Sequence, residues 1–139
     1  LCFDNRVYEM TQPFQEITEQ AIHTMVHTFY DKIRQDELLR DVFNNTIGDN
    51  WDPHLETMCR FWSSVLLTSG HYKGNPMTAH MKVKGVQRHY FDRWLELFEE
   101  TNQFLFRDDI ALSIQTKANR IAQSLMLGMF YKPEKVAVG

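Results

Sequence analysis

The chain has only two cysteines, Cys2 and Cys59, too few for a disulfide framework. Cys59 stands in an apolar helical stretch where a buried free thiol is the expected state. No apolar run approaches the roughly 20 residues that a membrane span requires. The first residues lack the basic flank and apolar stretch of a signal peptide, so a soluble, cytoplasmic protein without a membrane partner is expected. Nor is there a basic stripe. The 15 Lys and Arg are scattered among 18 Asp and Glu for a formal net charge of −3, which argues against phosphate neutralisation and hence against nucleic acid as a partner. Internal repeats, low-complexity tracts, a glycine-rich phosphate loop, a CxxC pair and a Ser/His/Asp set are all missing.

What the chain does have is aromatic and apolar mass. In 139 residues, hydrophobic side chains make up 43% and aromatics 13%, ten of them Phe. That is enough to build one core and to line a cavity for a flat apolar ligand. The length fits one domain, residues 1–139. Residues 1–12 show no clear period and read as an irregular lead-in. Ile22, Val26, Phe29 and Ile33 repeat at helical spacing over about Thr18–Arg34, with Thr18 as N-cap. A short segment follows over Asp36–Phe43, capped by Asp36, anchored by Leu38, Leu39, Val42 and Phe43, and ended by the breaker pair Asn44-Asn45. Asp52-Pro53 signals a helix running to about Thr68. A long helix is expected over Val86–Phe106, and a last one from Asp108-Asp109 to about Tyr131, with a frayed tail over Lys132–Gly139.

The chemistry is expected in the stretch His71–Val83. Gly70, Gly74, Asn75 and Pro76 make a turn-rich run that delivers His80 onto a very short helix, with Met77 and Met81 beside it. The arrangement suits an axial ligand to a buried iron, or else an ordinary loop histidine. Tyr30 falls at the edge of a buried face with a hydroxyl that needs a partner, in the fold or in solvent. His54 heads a stripe continued by Met58, Phe61, Trp62 and Val65, and reads either as a capping histidine or as a polar group at a cavity mouth. Trp94 belongs to two apolar rows at once, which places it deep in the fold with an indole N–H that must find an acceptor. Glu19, His23 and His27, at i, i+4 and i+8, could grip a metal or form a solvated helix face.

The ordered set Phe29-Tyr30-Asp31-Lys32-Ile33-Arg34, Phe43-Asn44-Asn45, Trp51-Asp52-Pro53-His54, Phe61-Trp62, Tyr72-Lys73-Gly74-Asn75-Pro76-Met77-Thr78-Ala79-His80 and Phe91-Asp92-Arg93-Trp94-Leu95 resembles the truncated haemoglobins. The likeness is strongest to their group III branch and spans roughly residues 17–130. The glycine pairs of group I are absent. The segment Met81–Gln87 departs from group III in lacking the prolines expected there.

This resemblance implies an all-α, globin-like fold, a truncated 2-over-2 helical sandwich around haem b, with its core over about residues 17–131. It implies His80 as the proximal iron ligand, binding through Nε2. The other ring nitrogen then needs a partner that fixes its orientation, and the Pro76 carbonyl, four residues back, is the expected one. Tyr30, His54 and Trp94 would take the distal side. Phe29, Phe43, Met58, Phe61 and Trp62 are candidates for the apolar walls, as are Met77, Met81, Phe91 and Met126. Lys82, Lys84 and Arg88 are candidates for the haem propionates.

The implied function is binding of a diatomic gas: oxygen, nitric oxide or carbon monoxide. Two charge-assisted donors, Tyr30 and Trp94, would slow oxygen release. That favours chemistry on the held gas, such as nitric oxide dioxygenation to nitrate, or sensing, over bulk delivery. A turnover cycle would need an external reductase, since no flavin or nicotinamide domain is recognisable in the chain. Two other readings compete. One is a haem peroxidase with His54 as acid–base catalyst, weakened because Arg60 falls off the His54 stripe. The other is a cofactor-free helical interaction domain.

Overall fold

Thr18 opens the first helix as its hydroxyl oxygen accepts the amide of Ala21 at 3.0 Å, which satisfies one of the donors that a helix start leaves without a partner. The computed structural model describes residues 13–130. The described residues form α1 (Glu19–Ile33), α2 (Arg40–Ile47), α3 (Trp51–Leu67), α4 (Pro76–Met81), α5 (Arg88–Leu105) and α6 (Asp108–Phe130). The expected lead-in over residues 1–12 and the tail over Lys132–Gly139 lie outside the described residues.

α1 packs on α3 and on α5, α5 packs on α6, and the short α4 rests on α6. The stripe read from the sequence is the face of α1 that goes in: Ile22 and Ile33 are fully buried, and Val26 and Phe29 nearly so. Burial of each such side chain stabilises the fold by about 1.5–3 kcal/mol. Ahead of α1, Phe14 is zipped to the α5–α6 corner, its amide donating to the Leu105 carbonyl at 2.7 Å and its carbonyl accepting from Arg107 at 3.1 Å.

Four boundaries differ from expectation. Asn44 and Asn45 do not stop α2; they lie inside it, and the chain turns at Gly48, whose φ of 59° suits glycine. Asp36 does cap, but it caps the turn before the helix, its Oδ2 accepting the amides of Leu38 and Leu39 at 3.1 Å each. α3 starts at Trp51, one residue before the expected cap, with Asn50 ahead of it and no side-chain cap bond. Asp52 instead supplies a negative charge within the first turn. Pro53 falls where its missing N–H has no intrahelical carbonyl to lose. α5 begins at Arg88 and not at Val86.

Candidate ligand cavity

Between these helices lies a cavity of about 500 Å³, within the range of sites that enclose a small molecule. Its walls are mostly apolar, and the polar groups that reach it are Tyr30, Asn50, His54, His80 and Trp94, with the hydroxyls of Thr46, Thr57, Tyr72 and Tyr90. The four side chains singled out in the sequence therefore line one space, although they come from four different helices.

His80 is placed by a local cap. The Asn75 Oδ1 accepts the amides of Met77 and Thr78 at 3.0 and 3.3 Å, and Pro76 takes the first helical position, where a missing amide costs nothing. One turn later the His80 Nδ1 sits 2.7 Å from the Pro76 carbonyl oxygen, as expected from the sequence. A carbonyl only accepts, so Nδ1 carries the proton and Nε2 keeps the lone pair. Within this cradle Gly74 gives Tyr72 its place: a Cβ there would lie 2.6 Å from the Tyr72 hydroxyl and displace that ring. The Tyr72 amide donates to Ser64 at 2.9 Å, and its ring stands edge-on to Phe61 at 5.2 Å.

Across the cavity, Tyr30 is held by an aromatic cage. Its ring meets Phe29 at 5.0 Å, His54 at 5.3 Å, Trp51 at 5.9 Å and Phe43 at 6.1 Å. Burial drives the phenol pKa far above its ordinary value, and the Trp94 N–H beside the hydroxyl offsets only part of that. Tyr30 therefore stays protonated and able to donate. Trp94 stacks on Phe98 at 5.1 Å and takes the Phe29 edge at 5.1 Å, so its indole is fixed in direction. It is half-buried rather than deep, because one side faces the cavity. His54 Nε2 is buried and has no hydrogen-bond partner. Burial, and secondarily the nearby His80, lowers the His54 pKa, which keeps the ring neutral at pH 7 with one nitrogen awaiting a partner.

The other candidates divide. Phe43, Met58, Phe61, Trp62 and Phe91 line the cavity. Phe29, Met77, Met81 and Met126 do not. Phe29, 1% exposed, is core behind Tyr30 and Trp94. Met77 packs its thioether against Gly128 on α6, Met81 points to solvent at 59% exposure, and Met126 is half-buried away from the cavity. Lys82, Lys84 and Arg88 are exposed, no lysine or arginine lines the cavity, and the Arg88 guanidinium stacks 5.2 Å over Phe130. Sequence reading missed Thr46, Asn50, Thr57 and Tyr90 as lining groups. Tyr90 had a signal, since it shares an apolar row with Trp94. The threonines had none.

The Glu19, His23, His27 set does not converge. The histidine rings stack at 4.0 Å, but Glu19 turns away to accept the Ser63 hydroxyl at 2.5 Å. Among the described residues no trio of His, Cys, Asp or Glu is placed to hold a metal. Cys59 is a free, half-buried thiol, its pKa raised by burial and by the nearby Glu19 and Glu56.

Comparison with known proteins gives a consistent picture. The family model for bacterial-like globins matches residues 14–123. A group 3 truncated haemoglobin of Campylobacter jejuni is 32% identical over 122 residues, covering 86% of this chain and 95% of that one. A group 1 truncated haemoglobin of Tetrahymena pyriformis is 29% identical over 110 residues, covering 79% and 88%. The crystal structure of a group III truncated haemoglobin from Campylobacter jejuni superposes with a TM-score of 0.82 at 31% identity, over 87% of this chain and 97% of that one.

Proposed function

The chain belongs to the truncated haemoglobins, most like their group III, and from that premise we propose that it holds haem b in the cavity and retains a diatomic gas there. The observation that carries this reading is the 2.7 Å contact from His80 Nδ1 to the Pro76 carbonyl. It fixes the tautomer that leaves Nε2 free to ligate, on a ring that lines the cavity. The remaining residues fit the group. The apolar walls suit a flat macrocycle, and the orphaned His54 Nε2 marks a place where a polar guest is expected. When bound, haem would supply an iron able to take a histidine nitrogen and a diatomic gas.

His80 would ligate the iron. Phe43, Met58, Phe61, Trp62 and Phe91, which line the cavity, would pack against the macrocycle and exclude water. On the gas side, the Tyr30 hydroxyl and the Trp94 N–H are donors whose directions are set by the aromatic cage, so little ordering entropy is lost when they engage. Hydrogen bonds to a charged acceptor are worth about 1.5–3 kcal/mol each, and every 1.4 kcal/mol is tenfold in an equilibrium. Two such donors favour oxygen binding with slow release. That supports nitric oxide dioxygenation, with electrons from an external reductase, or gas sensing, over bulk transport. His54 sits at the cavity with one free nitrogen and organises the approach of ligand or water. The peroxidase reading gains nothing, because Arg60 is paired with Glu56 on the exposed side of α3.

The test is spectral. The purified protein, loaded with haemin, is expected to show an intense Soret band. The band is lost in His80→Gly and restored by added imidazole. Uptake of haem by His80→Gly with an unchanged spectrum in the absence of imidazole overturns the assignment.

A further inference from the structure

Charge is less evenly spread along the chain than its totals indicate. Residues 57–91 contain five cations, Arg60, Lys73, Lys82, Lys84 and Arg88, and no carboxylate; the remainder holds ten cations and all eighteen carboxylates. Arg60 is paired with Glu56. The other four are exposed, and none has a carboxylate partner among the described residues. They bracket α4. Lys73 precedes it, Lys82 and Lys84 follow it, and Arg88 starts α5 with its guanidinium over Phe130, at the end of the helix on which α4 rests. α4 has six residues, and a helix of that length is about 9 Å long, so the cations at its two ends fall within the footprint of a small transient interface. Beside His80 in this face stands Met81, 59% exposed. An apolar centre within a charged rim is the usual composition of a docking patch.

We infer that the basic face around α4 is the docking surface for an acidic electron-carrier protein with a reduced flavin. The inference rests on the haem reading above, because it is His80 that makes this face the approach to the iron. Each encounter passes one electron from the reduced flavin, which is oxidised by that electron, to ferric haem; no atom is transferred. The rim raises the encounter rate and orients the partner without holding it long, as repeated single-electron deliveries require. A membrane surface is a poorer fit, since α4 offers one large exposed apolar side chain, Met81, where interfacial helices present a whole apolar face. Nucleic acid is poorer still, with only four cations available and affinity set by the number of phosphates neutralised.

The test uses the haem-loaded protein and a flavodoxin as the acidic probe. Binding of the oxidised probe is followed by NMR chemical-shift perturbation, and reduction by the reduced probe in a stopped-flow cell. Binding is expected to weaken steeply with salt. The Lys82→Glu/Lys84→Glu variant is expected to lose at least tenfold in affinity and to be reduced correspondingly more slowly. Lys73→Glu, on the other side of α4, should shift both readouts in the same direction. Arg120→Glu, elsewhere on α6, should leave both within twofold. Unchanged affinity in the Lys82→Glu/Lys84→Glu variant overturns the docking surface. So does tighter binding to phosphatidylglycerol vesicles or duplex DNA that the same charge reversals abolish. The wild-type Soret band reports separately: its absence sinks the haem reading, whereas unchanged binding by a protein that shows it sinks only the docking surface.

Discussion

At the scale of single residues, the cavity works through direction more than number. Tyr30 and Trp94 are each locked by aromatic neighbours at about the same distance, Phe29 lying 5.0 Å from one ring and 5.1 Å from the other. Removing either donor should therefore leave the other in place. Tyr30→Phe and Trp94→Leu are each expected to speed oxygen dissociation by about ten- to a hundredfold, the equivalent of about 1.5–3 kcal/mol, as read by stopped-flow displacement with carbon monoxide. Phe29→Ala removes the side chain that orders both and leaves a hole in the core. It should cost about 3–5 kcal/mol in urea unfolding, beyond any effect on ligand. The sequence made Tyr30, His54 and Trp94 visible because each is a polar group set in an apolar pattern, which needs an explanation in physical terms; His80 stood out by the turn-rich segment before it, and as a ligand only through the family resemblance. The sequence sorted the walls only in part, since Phe43 lines the cavity and Phe29 does not. Phe29 and Phe43 both belong to apolar helical patterns in the sequence, and periodicity reports that a face is buried without saying whether it meets another side chain or a void. Met81 was misplaced for a simpler reason: six residues are too few to define a face.

At the scale of elements, the capping signals show which local rules survived folding. Asn75-Pro76, read from the sequence only as part of a turn-rich run, proves to be the cap and first-turn proline of α4, a local signal that acts within the segment itself. Asp52-Pro53 misled by one residue, since a first-turn acid and a cap look alike until the backbone is seen. Asn44-Asn45 misled further, because asparagine only mildly disfavours helix and α2 gains from Val42 and Phe43 facing the cavity. Gly48 was the true stop. The connector before α2 is clamped to α5 by Asp36, whose Oδ1 accepts from Arg93 at 2.8 and 2.9 Å while its side chain is only 7% exposed. Burial alone would raise the Asp36 pKa; Arg93 and the amides of Leu39 and Leu38 outweigh it and hold the pKa below the usual carboxylate value. A carboxyl whose pKa is depressed in the folded state stabilises the fold at pH values above its unfolded pKa, and that contribution disappears as pH falls through the folded value. Asp36→Asn is thus expected to lower stability by about 1–2 kcal/mol at pH 7, since Arg93 is itself partly solvated. The gap from wild type should begin to narrow below about pH 4, the ordinary carboxylate range, and close as pH falls through the depressed folded value, in urea titrations across that range. In the loop before α4, Gly74→Ala should weaken haem retention, measured by transfer to an acceptor apoprotein, because the Tyr72 hydroxyl has to move out of the way.

For the whole molecule, the aromatic layer Trp62, Phe98 and Trp94, with stacking distances of 4.9 and 5.1 Å, joins the cavity wall to the deepest core. Filling the cavity and stabilising the fold are therefore one process. A ligand that binds only the folded state stabilises it by mass action, so the loaded protein should melt well above the ligand-free chain in calorimetry, by an amount that grows with free haemin. The helical class and single core were legible because α1, α3, α5 and α6 are long enough for their period to average out local exceptions. The cavity was not, because an enclosed space depends on how separate helices are set against one another.

α2 shows what that dependence means beyond the test tube. None of its residues is buried, yet Val42, Phe43 and Ile47 all turn toward the cavity. Phe43 and Ile47 pack partly against the core, and the rest of this face is open to whatever fills the space behind it. A chain folded without cofactor is expected to be cut faster in this stretch than the haemin-loaded protein under limited proteolysis, because cleavage reads the population of the opened form. Its lifetime in a cell would then follow cofactor supply, through the same contacts that close the binding site.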